Sequence, residues 1–574
     1  MSPCDHRSKN VQSEQLTLLD QSELLELVPA LPPMAEGDNH GAIFTKEWVV
    51  EMMLDLCDYR AERDLDTIKL LEPSCGDGAF LLRIVQRLST SLRSHGRALS
   101  DARDAIRAYD LQAANVRAAR ERVTALLHTD GWNEAQEVAN HWIRHADFLL
   151  AGDPPHFDLV VGNPPYIRAQ EIPEERRNTY MRLWSTMTMG TDIFVGFIEK
   201  GLRSLKPEGR LCFIVADRWQ HNAYGRKLRK LISERYAMDA MFEMHGVDAF
   251  AAPVSAYPAI TMIRRGTQGR VRYASAQADL NEQGGQRLKA WFEQNEPSAT
   301  HDTMFSACVL PDWFRTEEIW PSGSPEVLAF LEDMTERFQP LEDVTTGTKV
   351  GIGIATGADE VFITDNADCV EPERLIPLLT SADINTGHVQ WTGKYLVDPW
   401  DAQGQLVDLS HHPRLSNYFH EHVGVLKKRH VAQKRPERWY ATIDKVHNGL
   451  RERPKLVLQD MSSTISPVLD TQHYPHHNLY WITSTGWDLE VLGGLLLSEV
   501  AELFVRAYGV KMRNGTMRFQ SQYLRMIRVP AQGSLDEALC SVLRTAFRER
   551  DRDGATRAAM QAYGLAALPN FRGR

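Results

Sequence analysis

Apolar positions along this chain fall first into strand-like runs separated by helical periods. From Thr67 onward "TIKLLEP", a helical "AFLLRIVQRL", "IRAYD", another helical stretch, "WIRHADFLL" and "FDLVVGNPP" follow one another. That alternation is the signature of a parallel sheet with crossover helices. Ile193, Phe194, Phe197, Ile198, Leu202 and Leu205 then recur at helical spacing, and "KPEG" is expected to stop that helix before the strand "RLCFIVA". A further βα unit follows, and "MDAMFEM" with "YPAITMIRR" predicts a closing strand pair that completes a doubly wound α/β domain near residue 265. The expected boundaries are an acidic arm and linker over 1–40, the doubly wound domain over 41–270, a loop-rich connector over 271–330, a mixed α+β domain over 331–530, and a helical tail over 531–574. Within the arm, "LTLLDQSELLELV" predicts a short amphipathic helix before the linker "PALPPMAEGDNHG".

At 574 residues, two large domains are the natural expectation. No apolar run approaches the roughly 18 residues that a bilayer span requires, so no membrane role is expected. The start "MSPCDHRSKN" lacks the apolar core of a secretory signal, and the seven cysteines are isolated, with no CxxC pair. A reducing cytoplasm is the expected home. The net charge of −11 is unevenly spread: residues 1–66 hold 14 acidic and 5 basic side chains, a balance of −9. Residues 424–455 carry 10 Lys/Arg against Glu437, Asp444 and Glu452, and residues 503–530 carry 6 Lys/Arg and no acid. Two basic segments therefore belong to the C-terminal half, which reopens a polyanionic partner that the total charge would disfavour.

"LLEPSCGDGAF" places Gly76 and Gly78 between a strand and a helix start, where the backbone can approach a ligand and free N–H groups face an anion. A bare GxG is equally a tight structural turn, but the next strand ends in Asp110, suited to ribose hydroxyls, and the one after it in Asp147 and Phe148, suited to an adenine amino group and ring. The loop lacks the third glycine of GxGxxG and the Lys-Ser/Thr of a P-loop, so S-adenosylmethionine fits better than NAD or ATP. "NPPY" then leaves its strand through two prolines that fix φ and delete two N–H donors. The Asn163 amide oxygen and the Pro164 carbonyl can both address one exocyclic NH₂, with Tyr166 as a stacking face. A plain strand-exit turn accounts for the same residues taken alone.

NPPY combined with "EPSCGDGAF" resembles the S-adenosylmethionine-dependent amino-methyltransferases, and the order of parts is similar to the gamma class of DNA adenine-N6 methyltransferases, of the TaqI type. The resemblance covers roughly residues 41–265. It implies a Rossmann-like methyltransferase domain, mostly parallel with a closing antiparallel strand, followed by a target-recognition domain. Thr45 in "GAIFTKEWVVEMM" would contact the methionine carboxylate; the family's usual proline is Lys46 here. Gly76 and Gly78 would line the methionine moiety, with Glu72 of the same segment among the cofactor contacts, Asp110 the ribose, and Asp147 and Phe148 the adenine. Asn163, Pro164 and Tyr166 would hold the target base, with Phe250 as a second aromatic and Tyr257 competing for that role. "VGIGIATGADEVFIT", "LIPLLTSADINTG" and "RPKLVLQDMSS" are similar to stretches of the class's target-recognition domain.

The expected reaction is methyl transfer to N6 of a flipped adenine in double-stranded DNA, by the modification enzyme of a restriction-modification or related defence system, with any endonuclease encoded separately and the chain a monomer. Lys427, Lys428, Arg429, Lys434, Arg435, Arg438, Lys511 and Arg513 are the expected DNA contacts. Cytosine-N4 methylation stays open because the same turn could hold that amine. An RNA or protein-glutamine methyltransferase would not need some 300 residues after the catalytic domain, and the intact motif residues argue against a catalytically silent DNA-binding module. Cytosine-C5 methylation would need a Pro-Cys on a catalytic loop, and the single such pair is Pro3-Cys4. No metal site is expected: His473, His476 and His477 read as exposed loop residues without a partner at ligand spacing.

Overall fold

The computed structural model describes residues 45–569 apart from 153–155, 252–256, 315, 448 and 510–516. The leucine-rich arm, Cys4, Lys511 and Arg513 lie outside the described residues. The chain divides into two compact units, residues 1–325 and 326–574. Among the described residues, no helix is long and apolar enough to cross a membrane.

The first unit is built on ten strands: β1 (Leu70–Glu72), β2 (Ile106–Asp110), β3 (Ile143–His145), β4 (Phe157–Gly162), β5 (Leu205–Ala216), β6 (Ala237–Glu243), β7 (Pro258–Arg264), β8 (Val271–Ala276), β9 (Thr300–His301) and β10 (Phe305–Leu310). They form one sheet in the order β3-β2-β1-β4-β5-β7-β6-β8-β10-β9. β1 through β5 pair in parallel, and β7 inserts antiparallel between β5 and β6. The mostly parallel α/β domain and its closing antiparallel strand are as the alternation predicts. Order reverses between β1 and β4, so the loops leaving their carboxyl ends flank one crevice at the sheet edge, the place where doubly wound folds bind ligands. Helix Ala79–Ser94 covers the sheet through Phe80, Leu81, Ile84, Val85, Leu88 and Leu92, all buried at helical spacing.

Two expectations need correction. "KPEG" is no helix stop: the helix ends at Arg203, and Lys206 to Gly209 already belong to β5, where a register shift against β4 absorbs Glu208 at φ 62°. Residues 271–310 are no connector, because β8 pairs parallel with β6 and β10 antiparallel with β8, extending the sheet.

The second unit contains two four-stranded sheets. β11 (Gln339–Pro340) pairs with a short strand at Arg528–Val529. β12 (Lys349–Ile352) heads the order β12-β20-β16-β18, and β13 (Ile363–Thr364) heads β13-β15-β14-β19. Here β14 is Leu375–Leu379, β15 Tyr395–Val397, β16 Lys455–Gln459, β17 Met461–Ser462, β18 Val468–Asp470, β19 Tyr474–Pro475 and β20 Leu479–Thr483. Helices Glu537–Glu549 and Arg552–Tyr563, expected as a tail, pack into this unit instead. A Cβ at Gly494 of helix Leu489–Leu497 would stand 2.5 Å from the Leu543 carbonyl oxygen, so only glycine permits that approach.

Asp398, following β15, is 7 % exposed and accepts from Trp400 N at 2.9 Å. Burial, against the opposing Trp400 N–H, pushes its carboxyl up to about 6. A group with a raised folded pKa contributes most below its ordinary value, and that contribution is lost as pH climbs through the folded one. Asp398→Asn is expected to remove on the order of 2 kcal/mol of stability loss between about pH 4 and 6, read as the difference between wild-type and variant urea unfolding across that window.

Candidate active site

β1 ends at Glu72 and the chain turns through Pro73 to Gly78 into helix Ala79–Ser94. Gly76 (φ 53°) and Gly78 (φ 99°) both adopt left-handed backbone that side chains resist. The turn is fastened from β2: Cys75 N donates to Tyr109 O at 2.8 Å and Gly76 N to Asp110 Oδ2 at 2.9 Å. Asp110 Oδ1 accepts from Gln112 N at 2.8 Å and Asn115 Nδ2 at 3.1 Å. Burial raises the Asp110 acid above its ordinary value, and the N–H bonds oppose that rise. Glu72 is 1 % exposed; burial first, then the neighbouring Asp110, holds its carboxyl well above the usual range. Its Oε2 is buried with no hydrogen-bond partner among the described residues.

Asn163 leaves β4 beside this loop. Ser74 Oγ donates to the Asn163 carbonyl oxygen at 3.1 Å, and Asn163 Nδ2 donates to Thr45 Oγ1 at 3.1 Å. The second bond assigns the nitrogen end of the amide, so Oδ1 lies on the opposite side. Thr45 is itself held by a bridge to Phe250, with Lys46 N donating to Ala249 O at 2.9 Å. The Tyr166 ring meets Phe250 edge-on, centroids 6.2 Å apart at 79°, and its hydroxyl donates to Ile214 O at 3.3 Å. Of the two competing aromatics, Tyr257 meets the His245 ring instead, centroids 4.8 Å apart and planes tilted by 49°. The structure thus brings Thr45, Glu72, Gly76, Gly78, Asp110, Asn163, Pro164, Tyr166 and Phe250 to one edge of the sheet.

Asp147 and Phe148 are placed differently. Asp147 Oδ1 accepts from Leu149 N at 3.0 Å, while Oδ2 is taken by Tyr180 Oη at 2.5 Å and by an ion pair with Arg176. Phe148 is 3 % exposed, with its ring against Tyr109 and Phe197 and Lys200 Nζ 4.7 Å from its centroid. The Phe148 ring is therefore packed into the domain, and Asp147 caps the turn Phe148–Leu150 while anchoring helix Glu174–Leu183 through Arg176 and Tyr180.

In the second unit, Lys427, Lys428, Lys434 and Arg435 are exposed. Arg438 lies over Trp400 at 5.3 Å. Arg429 turns inward: its guanidinium donates to Leu426, Thr356 and Trp439 carbonyls at 3.1, 3.1 and 2.8 Å and lies over Phe362. His473 and His476 are buried, correcting their reading as exposed loop residues.

Over 551 residues the chain is 41% identical to the type II methyltransferase M.PaeR7I of Pseudomonas aeruginosa, covering 92% of each. The chain belongs to the type II methyltransferases of restriction-modification systems. M.XhoI of Xanthomonas vasicola is 40% identical over 540 residues, covering 92% of this chain and 98% of that relative. The Eco57I restriction-modification methylase family model matches residues 84–250 of this type II methyltransferase, a span that includes Asp110, NPPY and Phe250. Among solved structures, the type IIL restriction-modification enzyme MmeI, solved with DNA, shares the fold at TM-score 0.52 and 11% identity, over 91% of this chain and 74% of that one.

Sequence reasoning missed Ser74, Arg176, Tyr180 and the Ile214 carbonyl as supports. Ser74 stands inside the glycine motif and could have been singled out. Nothing in the sequence around Arg176 or Tyr180 ties them to Asp147, about thirty residues earlier.

Proposed function

We propose that this type II methyltransferase transfers a methyl group from S-adenosylmethionine to the N6 amino group of an adenine flipped out of double-stranded DNA, as the modification partner of a separately encoded endonuclease, acting as a cytoplasmic monomer. The observation that carries this reading is the seating of the Asn163-Pro164-Pro165-Tyr166 turn against the glycine loop through Ser74 Oγ and against the segment before helix Glu47–Leu56 through Thr45 Oγ1.

The residues present fit the cofactor. Gly76 and Gly78 take left-handed backbone and leave two positions of the loop without side chains, Glu72 keeps a buried carboxyl oxygen without a partner among the described residues, and Asp110 ends the adjacent strand. S-adenosylmethionine supplies an electrophilic sulfonium methyl when bound. Thr45, Glu72 and the glycine loop would hold its methionine end, and Asp110 its ribose. An aromatic amine is a poor nucleophile because its lone pair is delocalised into the ring. Asn163 Oδ1 and the Pro164 carbonyl are preorganised acceptors for its two N–H bonds, which stabilises positive charge developing on nitrogen. Holding the amine in line replaces a bimolecular encounter. Unstacking the base costs a few kcal/mol, offset by stacking on Tyr166 with Phe250 beside it.

The test is incubation of the purified chain with labelled S-adenosylmethionine and unmodified genomic DNA, followed by sequencing for modified adenines. Label on N6 of adenine at one recurring site is the expected result; label on N4 of cytosine, on RNA or on protein overturns it.

Lys427 and Lys428 suit phosphate binding by their exposure. Replacing both by Gln is expected to weaken binding equally across DNA sequences and to reduce the slope of log affinity against log salt by about 1 for each lysine replaced. Filter binding at several salt concentrations measures it.

A further inference from the structure

Two separate turns of the second unit converge on three donor atoms. Asp359 opens the short helix Asp359–Phe362 after β12, and His476 and His477 lie between β19 and β20. His476 Nε2 stands 3.1 Å from Asp359 Oδ2 and 2.9 Å from His477 Nδ1, and all three donor atoms lie within 4.8 Å of one another. His476 is buried, whereas the Asp359 side chain is 46 % exposed and His477 faces solvent.

From these positions we propose that Asp359, His476 and His477 form a binding site for a divalent transition ion of the zinc class, with its remaining coordination place open to solvent. Tetrahedral zinc with bonds of roughly 2.0–2.1 Å separates neighbouring donors by about 3.3 Å, so two of the three spacings are already within a few tenths of an ångström. The third closes by rotation of the exposed His477 side chain. Two imidazoles with one carboxylate suit zinc, cobalt or nickel better than the oxygen-seeking magnesium or calcium.

The alternative, a network of hydrogen bonds alone, is short of protons. His476 Nε2 offers a single hydrogen or a single lone pair to two neighbours that both lie within bonding distance. Asn478 Nδ2 is committed to Ser381 Oγ at 3.1 Å, and the buried His476 Nδ1 makes no hydrogen bond of normal geometry among the described residues. As a lone pair, Nε2 can accept from a protonated His477 Nδ1 but repels the Asp359 carboxylate; as Nε2–H, it can donate to Asp359 but cannot also accept from His477. A cation at the meeting point lets all three groups bond at once.

The anchor is already rigid. Thr356 Oγ1 donates to Asp359 Oδ1 at 2.5 Å, and Thr356 O accepts from Arg429 and from Ile443 N, so the ion would tie the β19–β20 turn to the loop on which the basic segment packs.

The experiment uses the full chain without a histidine tag, stripped by chelator and dialysed, then titrated with Zn²⁺ alone against a chromophoric competitor, with Co²⁺ absorption as a second readout. The expected result is one ion per chain, weakened on the order of tenfold or more in Asp359→Ala and in His477→Ala, and a thermal midpoint that rises with Zn²⁺ in the wild type only. Both substitutions fall on exposed side chains, so the fold is retained, and circular dichroism verifies it. Wild-type binding no tighter than that of the double variant overturns the proposal.

Discussion

Asn163→Ala is expected to lower the turnover of methyl transfer by about 10²–10³, while DNA affinity stays within about twofold of wild type. The side chain does two jobs: Nδ2 is spent on Thr45 Oγ1 at 3.1 Å, which orients the amide, and Oδ1 is the acceptor for the substrate amine. Removing one preorganised group at developing charge costs about 3–4 kcal/mol of barrier, because water that fills the gap must reorganise as charge appears. The loss should fall on kcat rather than on the KM for DNA, since that hydrogen bond strengthens only as nitrogen becomes positive. Asn163→Asp keeps an acceptor oxygen but gives up the N–H that Thr45 accepts, and an intermediate loss is expected. Single-turnover label transfer at saturating DNA separates these effects, and full activity in the alanine variant would contradict the role given to the amide.

That site was legible in the sequence because its parts sit at strand ends. Glycines, an acid and a proline turn at the exits of β1, β2 and β4, which are neighbours in the parallel sheet, share one sheet edge, so the doubly wound order brings Gly76, Asp110 and Asn163 together. Asp147 belongs to the same pattern, but its partners Arg176 and Tyr180 come from a later helix that no strand register places. The sheet's extension was equally hidden: β8 and β10 lie in loop-like composition, and the pairing of β8 with β6 and of β10 with β8 is a long-range fact. In the second unit, exposure could be read from charge only on average. Four basic residues of the run are exposed, yet Arg429 is turned inward by three carbonyls that the sequence does not align with it. His476 shows the converse, since its partner Asp359 lies 117 positions away.

Lys455→Met is expected to destabilise the second unit by about 3–5 kcal/mol. Lys455 and Asp470 face one another in the β16/β18 register, with side chains 0% and 2% exposed and Nζ 2.8 Å from Oδ2. Lys455 Nζ also donates to the carbonyls of Arg451 and Arg453 at 3.1 and 3.3 Å, and Asp470 is bonded by the His473 ring at 2.7 Å. Burial alone would raise the Asp470 acid, but the His473 and Lys455 bonds outweigh it and hold the carboxyl below its ordinary value. Methionine fills the lysine's volume and takes away the charge, so Asp470 must either stay ionised beside His473 alone or take up a proton. Either outcome costs more than the pair's net contribution, because desolvation of the carboxylate has already been incurred. Replacing both partners, Lys455→Met with Asp470→Leu, should recover most of the loss, since no buried charge is then left uncompensated. Because the chain has two compact units, hydrogen exchange over residues 455–470 reads the effect where a single global midpoint would blur it. A single variant that costs under about 1 kcal/mol, with no recovery in the double, would mean that this pair carries no charge in the folded protein.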